Sequence, residues 1–278
     1  MQPKDTPQEQ AIEILHPDIQ RGYIRHALFD FDGTISLIRE GWQAIMEAMM
    51  VEILMATPER ESEEHIRQTV REFITELTGK QTIYQMIRLS EEVAQRGGKP
   101  TDPLEYKENY HQQLLDRIQD RLDGLEANRL QPEEMVVPGS LEMLRRVKEK
   151  GVVCYLASGT DEKFVLHEAN LLGIAAYFDG VYGAQDDYKN YSKRKVIQRI
   201  IQDNDLKGPE LVAFGDGYVE IEDTKGVGGI AVGVATNEDT RTGVNEWKRA
   251  RLIRAGADII IPDFRGYQAT LHYLFPEG

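Results

Sequence analysis

Residues 25–36, RHALFDFDGTIS, decide how this chain folds. An apolar run, 27–29, leads directly into Asp30, Asp32 and Gly33, and apolar residues bounded by a glycine turn predict a short buried strand. Because strand side chains alternate, Asp30 and Asp32 point the same way, and two adjacent carboxylates are costly to bury without a cation. The stretch predicts a magnesium site at the carboxyl end of a strand, although D-x-D-G also occurs in solvated turns.

Composition restricts the classes of function. The net charge is -14 and the pI is about 5.0, which disfavours nucleic acid and anionic membranes as partners. Cys154 is the single cysteine, so an internal disulfide or a cysteine-based zinc site is excluded. No apolar run is long enough to span a bilayer, and the polar N-terminus lacks the core of a signal peptide. We therefore expect a cytoplasmic protein with no membrane and no nucleic-acid partner.

The chain divides into a lead-in, a core and an insert. Residues 1–22 are polar and contain three prolines, which argues against a long helix. Residues 37–135 show no convincing strand and carry four apolar stripes at helical spacing, which predicts an all-helical inserted domain. The stripes cover residues 42–53, 66–77, 83–93 and 104–122.

The core is predicted to comprise residues 23–36 and 136–278, where apolar strands alternate with amphipathic helices. This alternation indicates an α/β fold: a Rossmann-like, doubly wound parallel sheet with helices on both faces. After the first strand, strands are predicted at 152–157, 177–182, 211–214, 230–235 and 258–261. Helices are predicted at 140–150, 160–172, 192–202 and 245–254.

Polar residues follow three of the predicted strands. Asp30 and Asp32 follow the first strand, Ser158 follows the second, and Asp216 follows LVAF at 211–214. The carboxyl ends of parallel strands meet at one edge of a sheet, so these side chains are expected in a single crevice. A lysine at the helix start Ser192-Lys193-Arg194-Lys195 can reach the same place, where a helix N-terminus favours an anion.

The order of these segments resembles the haloacid dehalogenase superfamily. Asp-x-Asp-Gly-Thr, Ala-Ser-Gly-Thr, a lysine at a helix start and Gly-Asp-Gly-x-x-Glu look like its four motifs. The helical insert resembles the α-helical cap of its phosphatases, such as the phosphoglycolate phosphatase and beta-phosphoglucomutase-like members. The resemblance implies a Mg²⁺-dependent phosphomonoester hydrolase that acts on a small phosphorylated metabolite.

The resemblance also implies a role for each motif residue. Asp30 would attack phosphorus and form an aspartyl-phosphate, and Asp32 would be the general acid and base. Asp30, the backbone carbonyl of Asp32, and Asp216 would bind Mg²⁺, and Glu220 would act on the metal or its waters. An acid/base at Asp32 favours phosphate esters over carbon–halogen bonds.

The phosphate-binding residues implied by the resemblance are Ser158, Gly159 and Lys193. Ser158 and Thr160 can instead cap the following helix. Other candidates stay open for the lysine and for the glutamate. They are Lys189 and Lys195 for the lysine, and Glu222 and Asp223 for the glutamate.

The resemblance further implies a cap that closes over the site and chooses the substrate. Such a cap suits a small phosphorylated metabolite, such as a sugar phosphate or phosphoglycolate, better than a phosphoprotein. The candidate specificity residues are Trp42, Gln43, Lys80, Tyr84 and Arg88. Two other functions remain possible: a phosphomutase with the same motifs, and a non-catalytic phosphate-binding protein. The basic residues after Asn237 are interpreted first as a solvated helix face; they are Arg241, Lys248, Arg249, Arg251 and Arg254.

Overall fold

A computed structural model describes residues 12–185 and 191–276. In these ranges one seven-stranded sheet and ten α-helices are present. The strands are β1 (Glu13–Ile14), β2 (His26–Phe29), β3 (Val153–Asp161), β4 (Gly180–Ala184), β5 (Leu211–Gly215), β6 (Ile230–Val234) and β7 (Ile259–Ile261). The helices are α1 (Trp42–Met55), α2 (Glu63–Leu77), α3 (Thr82–Gln95), α4 (Pro103–Glu126), α5 (Ser140–Glu149), α6 (Glu162–Leu171), α7 (Lys193–Asp203), α8 (Tyr218–Gly226), α9 (Glu246–Arg254) and α10 (Tyr267–Leu274).

The sheet is wound in both directions from β2. Its strand order is β1-β7-β6-β5-β2-β3-β4, and every neighbouring pair except β1 with β7 is parallel. The chain passes from β2 to β3 and β4 on one side, and then returns to β5 on the other. The predicted doubly wound α/β fold is thus confirmed, and its topological switch point lies between β2 and β5.

The central strands are apolar on both faces because helices cover both. All four residues of β2 and all five of β5 are buried. Phe29 packs in the largest core cluster and stacks on Phe214 at 4.8 Å, whereas Leu28 points to the opposite face and packs with Ile197 of α7. Burial on both sides favours continuous apolar strands, which is the pattern seen in the sequence.

The four apolar stripes of the insert form α1 to α4. Ser62 caps α2 by accepting a hydrogen bond from His65 N, and Asp102 caps α4 by accepting one from Leu104 N. The apolar stripe of α2 is buried against its neighbours, chiefly α1. Helices α2 and α4 therefore begin at side-chain caps, and the helices of the insert pack through their apolar faces.

Parts of the fold differ from the prediction. The strand expected at 177–182 lies at Gly180–Ala184, because a short 3₁₀ turn occupies Ala175–Tyr177. Within the lead-in, Glu13–Ile14 forms β1, which pairs antiparallel with β7 at the sheet edge. Helices α8 and α10 were not predicted. No helix in the described ranges is long and apolar enough to cross a bilayer.

Candidate active site

The switch point brings two predicted acidic residues together. Phe29 of β2 lies opposite Phe214 of β5, so Asp30 and Asp216 leave adjacent strand ends. The Asp30 N–H donates to Phe214 O at 2.9 Å, and the Asp216 N–H donates to the Thr34 hydroxyl at 3.0 Å. These bonds hold the two loops side by side at the carboxyl edge of the sheet.

Asp30, Asp216 and Glu220 form an acidic cluster. One carboxylate oxygen from each lies within 4.8 Å of the others. Glu220 is fully buried, and its Oε1 accepts the Gly217 N–H at 2.7 Å at the start of α8. The alternatives for this position do not join the cluster, since Glu222 is exposed and neither it nor half-buried Asp223 belongs to the group formed by Asp30, Asp216 and Glu220.

Lys193 enters the same cluster from the first turn of α7. Its Nζ lies 2.5 Å from Asp30 Oδ1 and 3.1 Å from Glu220 Oε2. Ser192 caps the helix by accepting a hydrogen bond from Lys195 N, and the Lys195 side chain is exposed. The structure therefore brings Lys193 into the site and leaves Lys195 outside it, whereas Lys189 lies outside the described residues.

The charges of this cluster are strongly coupled. Burial raises the pKa of Asp30 well above its usual range, although Lys193 opposes this shift. Burial alone lowers the pKa of Lys193, but Asp30 and Glu220 together hold it above its ordinary value. Such perturbed groups in one cleft are typical of a functional site.

Asp32 faces a different set of partners. Its Oδ2 accepts hydrogen bonds from Ser158 Oγ at 3.1 Å and Thr160 Oγ1 at 2.8 Å, while its buried Oδ1 has no hydrogen-bond partner in the described ranges. Ser158 and Thr160 do not cap α6, because the helix begins after Asp161 without a side-chain cap. The capping interpretation was therefore wrong, and both hydroxyls position Asp32.

Glu238 and Lys248 were missed as part of this site. Lys248 is buried, and its Nζ lies 2.7 Å from Asp216 Oδ2 and 2.5 Å from Glu238 Oε1. Asp216 and Glu238 hold the pKa of Lys248 above its ordinary value against the effect of burial. The interpretation of this basic segment as a solvated face was thus wrong for Lys248, which points inward.

Arg39 is a third residue that the sequence did not indicate. It is buried, and its guanidinium donates hydrogen bonds to both carboxylate oxygens of Glu168 on α6. The shortest of these bonds is 2.6 Å. Its Nε lies 3.9 Å from Asp32 Oδ1. A neutralised Arg–Glu pair therefore lies beside the unpartnered oxygen of Asp32.

A pocket of about 110 Å³ lies between the cap helices and the sheet edge, with Asp30, Asp32 and Asp216 in its floor. Three of the five predicted specificity residues line it: Trp42, Gln43 and Lys80. The other two do not. Tyr84 is partly exposed elsewhere on α3, and Arg88 pairs with Glu91 and Glu92.

The cap rests directly on the core around this pocket. Gln81 Nε2 donates to Tyr191 O at 2.8 Å, and Lys107 Nζ lies 2.6 Å from Asp161 Oδ1. Ligand pockets usually have volumes of roughly 300–1,000 Å³. The pocket of this protein is smaller, so the cap is closed over a small space.

Comparison with known proteins decides the family. The family model for haloacid dehalogenase-like hydrolases matches residues 24–226, well over half of the chain. The chain belongs to this family. The match confirms the predicted superfamily and the prediction of an enzyme of the hydrolase class.

Several proteins of known structure share the fold of this HAD-like hydrolase. A predicted phosphoglycolate phosphatase from Haemophilus somnus is 16% identical, with a TM-score of 0.60, covering 89% of this chain and 98% of that one. A beta-phosphoglucomutase from Clostridium difficile is 13% identical (TM-score 0.55, 83% and 98% covered). CbbY from Rhodobacter sphaeroides, solved with phosphate, is 17% identical (TM-score 0.54, 87% and 95% covered). No curated protein matches the chain.

Proposed function

We propose that this HAD-like hydrolase is a Mg²⁺-dependent phosphatase that cleaves a small phosphorylated metabolite through an aspartyl-phosphate. The observation that carries the proposal is the cluster of Asp30, Asp216 and Glu220 around Lys193, at the switch point of the sheet. Ligands bind at this place in open α/β sheets.

The donor set fits a hard divalent cation. Four carboxyl groups, those of Asp30, Asp216, Glu220 and Glu238, face two ammonium groups, those of Lys193 and Lys248. If all six are ionised, two negative charges are left in a buried space, and burial of unpaired charge is costly. Asp30, Asp216 and the backbone carbonyl of Asp32 would hold Mg²⁺, with Glu220 beside it. When bound, the ion would neutralise phosphoryl oxygens.

The chemistry would proceed in two steps. In the first, an Asp30 oxygen attacks phosphorus, the ester P–O bond breaks, and Asp32 gives its proton to the leaving oxygen. In the second, Asp32 takes a proton from water, the hydroxide attacks phosphorus, and Asp30 leaves as a free carboxylate. Asp32 lines the pocket, and the hydroxyls of Ser158 and Thr160 hold its carboxylate in place for this proton transfer.

Three residues would bind the phosphoryl group. Lys193 supplies a buried positive charge, which is needed because the chain as a whole is acidic. The Ser158 hydroxyl, which donates to Asp32 in this structure, would turn to the phosphoryl group, and Gly159 would supply a backbone N–H. Closure of the cap would exclude water while the aspartyl-phosphate forms.

Phosphate release from nitrophenyl phosphate tests this function. We expect turnover with Mg²⁺ and none after chelation, and Asp30→Asn should lower kcat by at least about a thousandfold, because the nucleophile is lost. Asp120→Asn, at an exposed position of α4, is the matched control and should keep full activity. Wild-type turnover by Asp30→Asn would refute the mechanism, and absence of turnover in the wild type would favour a non-catalytic protein.

A phosphomutase is the second candidate, because the fold is shared with a beta-phosphoglucomutase. Product analysis separates the two. Free phosphate from a sugar phosphate indicates hydrolysis, whereas an isomerised sugar phosphate indicates a mutase.

A further inference from the structure

Two buried polar side chains of the cap have no hydrogen-bond partner among the described residues. Gln85 on α3 and Tyr110 on α4 are each 3% exposed and line the pocket. In the described ranges neither the Gln85 amide nor the Tyr110 hydroxyl makes a hydrogen bond. The polar atoms of both side chains keep some exposure to solvent, so they are accessible from the pocket. Buried polar groups normally have partners, so these two are placed to bind something that enters the pocket.

Six neutral side chains form the part of the roof that surrounds Gln85 and Tyr110. Three helices each contribute two residues that lie one turn apart and therefore share a face. Apolar and aromatic side chains alternate there with neutral polar ones. The six residues are Trp42 and Met46 of α1, Thr82 and Gln85 of α3, and Tyr110 and Leu114 of α4.

Most cations around the pocket are already engaged. Arg39 is bound by Glu168, and Lys248 is bound by Asp216 and Glu238. These two positive charges are balanced locally and are not available to a ligand.

Arg251 and Lys80 are the remaining positively charged residues that line the pocket, apart from Lys193. The Arg251 guanidinium stacks between the Tyr218 and Trp247 rings and donates to Thr75 O at 2.6 Å. Lys80 is exposed to solvent. Glu40 also lines the pocket, and Arg241 balances its charge. A second negative group of a substrate would meet one exposed lysine, Lys80, at the pocket and otherwise paired charges and neutral side chains.

We infer that the leaving group is an uncharged polyhydroxylated compound such as a monosaccharide, and that Gln85 and Tyr110 bind its hydroxyl groups. An amide and a phenol each donate and accept hydrogen bonds, as a sugar hydroxyl does, and aromatic and apolar side chains pack on the carbon face of such a ring. The substrate is thus a sugar monophosphate, not a phosphorylated carboxylic acid or a bisphosphate. This inference rests on the proposed phosphatase function.

Steady-state kinetics of the Mg²⁺-loaded full chain test it. The probes are a pentose and a hexose monophosphate, phosphoglycolate, a hexose bisphosphate, and nitrophenyl phosphate. We expect kcat/KM for a sugar monophosphate to exceed that for phosphoglycolate and for the bisphosphate by about tenfold or more. Gln85→Leu and Tyr110→Phe should each lower the sugar-to-aryl ratio of kcat/KM about tenfold, because the aryl ester offers no hydroxyl.

Matched controls and a binding assay separate the possible failures. Gln112→Leu, on the exposed face of α4, and Tyr23→Phe, at a 64% exposed side chain, should leave the ratio unchanged. Preference for phosphoglycolate or the bisphosphate, or an unchanged ratio in both pocket variants, would overturn the inference. If the wild type releases no phosphate, the proposed function fails. Calorimetric binding of the sugar monophosphates, in wild type and in Tyr110→Phe, then decides the inference by itself.

Discussion

Gly159→Ala should impair closure of the cap without impairing the fold. Gly159 follows Ser158 in β3, and a Cβ there would lie 2.8 Å from Lys80 O and 3.3 Å from Lys80 C, both in the cap. The φ angle of Gly159 is not in the left-handed region, so alanine fits the local backbone. The substitution also keeps the Gly159 N–H that we propose for phosphate binding. The only conflict is therefore between the new methyl group and the closed cap.

The size of the effect follows from this clash. A Cβ-to-oxygen distance of 2.8 Å is too short, and the obstacle is backbone, so the loop at Lys80 must retreat by several tenths of an ångström. Overpacking of this kind costs about 1–3 kcal/mol. Because the cost falls on the closed state alone, the closed population should decrease relative to the open one by about 5- to 150-fold.

Kinetics and thermal unfolding together test this reasoning. We expect Gly159→Ala to lower kcat/KM for nitrophenyl phosphate by about 5- to 150-fold, with a melting temperature close to that of the wild type. Gly226→Ala is the matched control: a Cβ there meets nothing within 4 Å, so activity should not change. Wild-type kcat/KM in Gly159→Ala would show that closure onto Gly159 is not needed for catalysis. A large loss of melting temperature would show that the clash disrupts the core instead.

Two other substitutions test buried charges. Lys248→Met leaves Asp216 and Glu238 facing each other without their ammonium group, and breaking a buried ion pair costs about 3–5 kcal/mol. Differential scanning fluorimetry should show a melting temperature that is lower by several degrees and is partly restored by adding Glu238→Gln. An unchanged melting temperature in Lys248→Met would contradict the pairing. Burial lowers the pKa of His111 in the folded protein to about 3. In the unfolded chain the imidazole has the ordinary pKa of about 6.5. The free energy of unfolding is therefore highest above about pH 6.5 and decreases as the pH falls toward about 3. At about pH 5 this effect is about 2 kcal/mol, and His111→Gln should remove it in urea unfolding compared at about pH 5 and about pH 7; an equally acid-sensitive variant would show that His111 is not the cause.

The central site could be predicted because its signals are local. Asp30 and Asp216 each follow an apolar run, and parallel strands carry the residues that follow them to a common edge. The choice of Lys193 over Lys195 could not be made from spacing. It depends on the Ser192 cap, which sets the rotation of α7 so that Lys193 is buried and Lys195 is exposed.

The residues that were missed have partners far away in the sequence. Arg39 and Glu168 are 129 positions apart, and nothing near either of them indicates the other. Lys248 stands among arginines in a segment that looks solvated. One signal was present: Leu252 is fully buried and lies one turn further along α9, so it shares the inward face with Lys248. The pattern alone does not single out Lys248, because Arg249 likewise has an apolar residue, Ile253, at i+4.

The core and the cap of this enzyme differ in which substitutions they can accept without loss of the site. Asp30 and Asp216 are held by hydrogen bonds at strand ends, and the register of β2 with β5 determines where they lie. Gln85 and Tyr110 stand on separate helices of the cap and line the pocket. Under the proposed function, substitutions at α3 and α4 can therefore alter which leaving group is bound while the phosphoryl chemistry stays intact. Substitutions at the strand ends cannot, because any shift there moves the proposed nucleophile and the acidic cluster together.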